Sequence, residues 1–146
     1  MDFEYFFFCT KDKNELLDIL HLICDTISAK YNDSHFYSFK SKQQCLYNEL
    51  VQLSIEENNN DVDFINAQYC SNYNICLNIH SFHKYFDDSI VFMFKILSAL
   101  NTQLKLKQCI LFSESGKEIL KIVNGDIKCY VYDDYKYPFE IIVNNI

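Results

Sequence analysis

His80 and His83 stand three residues apart, with Cys76 four residues before the first, and such nitrogen and sulfur groups are what zinc takes as ligands. A zinc site needs four closed ligands, or three and a water, and neither a Cys-x-x-Cys pair nor a carboxylate cluster completes this set. The run reads instead as a strand end and a helix approach that happen to hold two histidines. No metal and no cofactor is expected. A cysteine nucleophile with a histidine base is the next chemistry on offer, since the chain holds Cys9, Cys24, Cys45, Cys70, Cys76, Cys109 and Cys129 beside four histidines. At those counts co-occurrence is nearly guaranteed. No small-residue elbow or Gly-rich oxyanion loop surrounds any of the thiols, and activation of a thiolate needs such a setting. The expectation is that the protein is no enzyme.

Phosphate cradles need glycines where backbone N–H groups wrap the anion, and Gly116 and Gly125 each stand alone in a turn. Paired carboxylates occur at Glu56-Glu57, Asp87-Asp88 and Asp133-Asp134. Neighbours on a strand point to opposite faces, so these pairs are poorly matched as acid and base. Asp87 or Asp88 is better explained as a helix cap. What remains is a set of acidic residues interleaved with tyrosines: Glu56, Glu57, Asp61 and Asp63, then Tyr130, Tyr132, Asp133, Asp134, Tyr135 and Tyr137. Tyrosine supplies large, rigid contact area, and carboxylates around it steer a basic partner. These ten positions are the candidate partner-binding surface, and the competing reading is an aromatic-rich strand end with a solvated charge run.

Charge supports a protein partner. The net charge is -7 and every cation is a lysine, whereas nucleic-acid binders present basic faces with arginine forks. Neither a nucleic acid, nor a membrane, nor a small-molecule substrate is expected. No apolar run reaches bilayer length, and Asp2 and Glu4 stand where a signal peptide carries positive charge. The odd, scattered cysteines suit free thiols in a reducing compartment, so the expected location is cytoplasmic. Frequent Asn, Ile, Lys, Tyr and Phe reflect an AT-rich coding sequence and need no functional account.

The elements that must carry these residues read as one globular domain over 1–146. Residues 3 to 9 form a strand rich in Phe and Tyr. Asp12 and Glu15 make a capping box for a helix over 13–29, with Leu16, Leu20, Ile23 and Ile27 on one stripe. Residues 34–40 alternate weakly as a strand. The stretch 45–56 suits either helix or strand, and a strand over 50–57 is favoured, followed by a polar loop and further strands over 62–69 and 74–80. A second helix runs from Asp87 or Asp88 to about Leu100, apolar almost all round, with Asn101 ending it. Strands over 106–112, 117–123 and 127–132 follow, the last two joined by Asn124-Gly125, the strongest short hairpin signal. After that turn Ile127, Cys129 and Val131 face one side, and Lys128, Tyr130 and Tyr132 the other. The fold class is therefore α+β: two main helices on an antiparallel sheet with a C-terminal three-strand meander.

Residues 75–132 also resemble a known group. A strand leads to a helix with an ISAL-like end, then come a CILF-type strand, a turn, an ILKIV-type strand and a final hairpin strand. This order is similar to small acidic immunity proteins encoded beside polymorphic and contact-dependent toxins of bacteria. The resemblance implies cytoplasmic neutralisation of a cognate toxin domain through a tight one-to-one complex, often by covering the basic cleft of a nuclease. The alternatives are a non-enzymatic adaptor of phage or mobile-element origin and, behind it, a cysteine hydrolase.

Overall fold

Along residues 2–7, Phe3, Tyr5 and Phe7 fall on one side of an extended chain and Asp2, Glu4 and Phe6 on the other. In the computed structural model, which describes residues 1–29, 40–42, 44–82 and 86–129, this segment is a central strand. The elements run β1 (Asp2–Phe7), α1 (Lys13–Ser28), β2 (Lys40–Lys42), β3 (Cys45–Tyr47), β4 (Val51–Glu57), α2 (Asn60–Tyr69), β5 (Ile75–Ser81), α3 (Phe86–Leu104), β6 (Cys109–Ser113), β7 (Glu118–Val123) and β8 (Asp126–Cys129). All eight strands join one sheet in the order β2-β3-β4-β5-β1-β6-β7-β8. Every described pairing is antiparallel. The α+β class and the C-terminal meander stand as expected.

α1 and α3 pack together on one face of the sheet. Their core takes Leu16, Leu20 and Ile23 from α1 and Phe92, Phe94, Ile96 and Leu97 from α3. Under these lie Tyr5, Leu53, Leu77 and Leu111 from the strands. α1 starts where the capping signal placed it, with Asp12 Oδ1 accepting from the Glu15 amide at 2.9 Å. Asn124 and Gly125 both take positive φ, 51° and 84°, as a primed hairpin turn requires. A bulge between Leu111 and Phe112 sets Leu120 opposite Leu111 and Glu118 opposite Phe112, so Ile119 is the extra residue.

Several expectations need correction. Residues 62–69 are no strand but most of α2. Asn59 caps that helix by accepting from the Val62 amide at 2.8 Å, and Asp61 and Asp63 stand in the first turn. Val62, Ile65 and Tyr69 recur at helical spacing and face the sheet, while Phe64 is 68% exposed. β3 was not anticipated beside β4. Most of the expected strand 34–40 lies outside the described residues. α3 begins at Phe86, so Asp87 and Asp88 sit inside its first turn rather than at its cap. Asn101 does not end α3. Its side chain accepts a buried hydrogen bond from Tyr5 Oη, and the helix runs on to Leu104 before Lys105 turns left-handed at φ 54°. β6 starts at Cys109 rather than 106. Among the described residues, no helix is long and apolar enough to cross a membrane.

Candidate functional site

The second face of the sheet is only partly roofed. α2 and Tyr73 cover Phe6, Cys76, Ile110 and Phe112, which form a small apolar cluster. Tyr69 fixes the end of the helix, its ring 5.9 Å from Phe112 and its hydroxyl 3.3 Å from Glu118. Beyond that patch the same face turns polar, because period-2 alternation sends Asp2 and Glu4 of β1 outward with Gln52, Ser54 and Glu56 of β4 and Asn78 and His80 of β5. The register stacks them in rows: Asp2 and Gln52 flank His80, Glu4 and Ser54 flank Asn78, and Glu56 stands opposite Cys76.

Two adjoining hollows result. One, of about 490 Å³, lies over the polar rows and reaches Asp61 and Glu114. The other, of about 270 Å³, runs between α2 and the β6–β7 turn, with Phe64 and Gln68 on its wall. Glu4, Asp61 and Glu114 line both, and among the described residues no lysine lines either. Glu114 is drawn over the face by its carboxylate, which accepts from the Asp2 amide at 3.1 Å.

The electrostatics of this face are strained in one direction. Burial first, then the Asp61 carboxylate beside it and a hydrogen bond shared with that group, push the Glu4 carboxyl above its ordinary value of 4.5, and Glu56 adds to the rise. The Cys76 thiol donates to Glu4 Oε2 at 3.6 Å and opposes it. His80 closes the row beside Asp2, its Nδ1 lying 2.5 Å from Asp2 Oδ1 and its ring set edge-on to Phe82 at 4.9 Å. A face on which burial and neighbouring carboxylates push the Glu4 carboxyl up is ready to accept a proton, an ammonium or a guanidinium.

Of the positions singled out in the sequence, Glu56 and Asp61 belong to this face, Glu56 accepting from the Asn59 side chain. Glu57 alternates to the other side of β4, opposite the core residue Ile75. Asp63 lines neither hollow. Tyr130, Tyr132, Asp133, Asp134, Tyr135 and Tyr137 lie outside the described residues. Sequence reasoning missed Asp2, Glu4, His80, Glu114 and Phe64. The available signal was in β1, where two carboxylates interrupt an otherwise aromatic strand.

The thiol chemistry resolves geometrically. Cys76 and His80 share a face of β5 but lie four residues apart along it, roughly 13 Å at a strand's rise per residue, too far to share one metal ion. Burial pushes the thiols of Cys24 and Cys76 well up, and that of Cys109 up to about 12, so all three are protonated at neutral pH. Comparison with family models, curated proteins and solved structures finds no match to this chain, so its function rests on the chemistry of this face.

Proposed function

We propose that the protein neutralises a toxin by binding: an immunity protein whose open, acidic sheet face docks on the basic surface of a cognate toxin domain, a nuclease by preference. The observation that carries this reading is the lysine-free hollow bounded by Asp2, Glu4, Asp61 and Glu114. A nuclease must be positive where it holds phosphates, so a negative, concave surface is its natural plug. Carboxylates around the hollow would speed encounter, and Phe64, a large apolar side chain on the rim, would slow release. Burial that keeps the thiols of Cys24, Cys76 and Cys109 protonated makes these three poor nucleophiles for the cysteine-hydrolase alternative.

The surface proposed differs from the one drawn from sequence: Glu56 and Asp61 are kept, and Glu4, Glu114 and Phe64 join them. The test pairs this protein with the toxin domain encoded immediately upstream of its gene and measures growth rescue and binding kinetics. Rescue with a tight complex is the expected result. Asp61→Lys with Glu114→Lys should slow association about tenfold or more at low salt, and Phe64→Ala should act mainly on dissociation. Absence of both rescue and binding would overturn the reading and leave the adaptor in its place.

A further inference from the structure

A third cavity, of about 450 Å³, opens at the other end of β1 and has the opposite charge. It is walled by the segment Phe8 to Lys11 that leaves β1, by Asn72, and by Gln103 to Gln108 between α3 and β6. In a chain of net charge -7, three lysines, Lys11, Lys105 and Lys107, line it, and among the described residues no carboxylate does. None of the three has an ion-pair partner among the described residues. A lysine that follows a helix C-terminus compensates the helix dipole, which explains Lys105. It does not explain Lys11, brought in from the β1–α1 connection, or Lys107, beyond the helix.

The walls are fixed before any ligand arrives. Asn74 clamps the β1 end at two points, its side chain accepting from the Cys9 amide at 2.9 Å and donating to the Cys9 carbonyl at 2.8 Å. The Leu106 amide folds back to the Asn101 carbonyl at 3.1 Å, and the Lys107 carbonyl receives the Gly125 amide at 3.2 Å. Thr10, Asn72, Gln103 and Gln108 add side chains that make no hydrogen bond among the described residues. Phe8 is 46% exposed at the cavity's edge, with Leu104 and Leu106 in the opposite wall.

We infer that this cavity binds a phosphate-bearing small molecule, its phosphate groups held by Lys11, Lys105 and Lys107 and its body against Phe8. Concentrated cations without counter-charge call for a multiply charged anion, and the volume is that of a small-molecule site rather than a protein interface. Lysine binds phosphate as a point charge, so the absence of a glycine-rich cradle is no obstacle. The inference does not depend on the acidic face, which lies at the other end of β1.

Inorganic pyrophosphate and ATP, each added at constant ionic strength, test it by amide chemical-shift mapping and calorimetry on the wild-type protein. Expected are shifts confined to residues 8–11, 72 and 103–108, and a loss of affinity of about tenfold or more in Lys105→Glu/Lys107→Glu. Equal affinity for both probes would assign phosphate alone as the recognised group, and tighter ATP would add its ring against Phe8. Lys105→Gln/Lys107→Gln repeats the test without introduced negative charge. No binding of either probe, shifts scattered over all the lysines, or undiminished affinity in both double variants would overturn the proposal.

Discussion

Glu4→Gln should stabilise the free protein at neutral pH, although it removes a native charge from the middle of the sheet. The Glu4 carboxyl is held above its ordinary value by burial and by Asp61, with Glu56 adding to it. A raised carboxyl means the folded state holds the proton more tightly than the unfolded state. Its contribution is therefore fully present below 4.5 and is lost as pH rises through the folded value. At neutral pH wild-type Glu4 is ionised against its neighbours, and glutamine keeps the shape, removes the charge and offers Asp61 a donor. Glu4 is partly open to solvent, so the gain is that of a screened surface pair, about 0.5–1 kcal/mol. For a chain of this length that is a rise in Tm of roughly 1–4 °C. Urea and thermal unfolding of wild type and Glu4→Gln, at neutral pH and below 4.5, measure it. The difference should be present at neutral pH and shrink towards zero in acid. Equal stability at neutral pH, or a gain that persists undiminished in acid, would refute the reasoning. A carboxylate that costs its own fold stability is what a binding face, rather than a structural one, would retain.

Two further outcomes test the scaffold. Tyr5→Phe leaves the buried Asn101 carbonyl oxygen without its donor and should cost about 1–3 kcal/mol by urea unfolding, whereas Tyr5→Phe with Asn101→Leu should recover much of that, because the Asn101 amide nitrogen already lacks a partner. Asn59→Ala removes the cap of α2 and should cost about 1 kcal/mol, with faster amide exchange over 60–69 and little change in α1.

The sequence alone determined the elements whose signals are local. Asp12 with Glu15 starts α1, the stripe from Leu16 to Ile27 faces it inward, and Asn124-Gly125 closes the last hairpin through two positive φ angles. Those signals depend on neighbours in the chain, so they can be read without the fold. α2 escaped because ten residues hold too few turns to display a stripe, and its one large aromatic at that point, Phe64, faces outward. Asn101 has low helix propensity, yet a hydrogen bond from Tyr5, 96 residues away, holds it inside α3. Glu56 and Asp61 were visible as an acidic segment. Their union with Asp2, Glu4 and Glu114 was not, because only the sheet order, with β1 between β5 and β6, brings three separate stretches of chain onto one face. Net charge is additive and can be counted from composition, but where opposite charges gather depends on register and strand order, which no local signal carries.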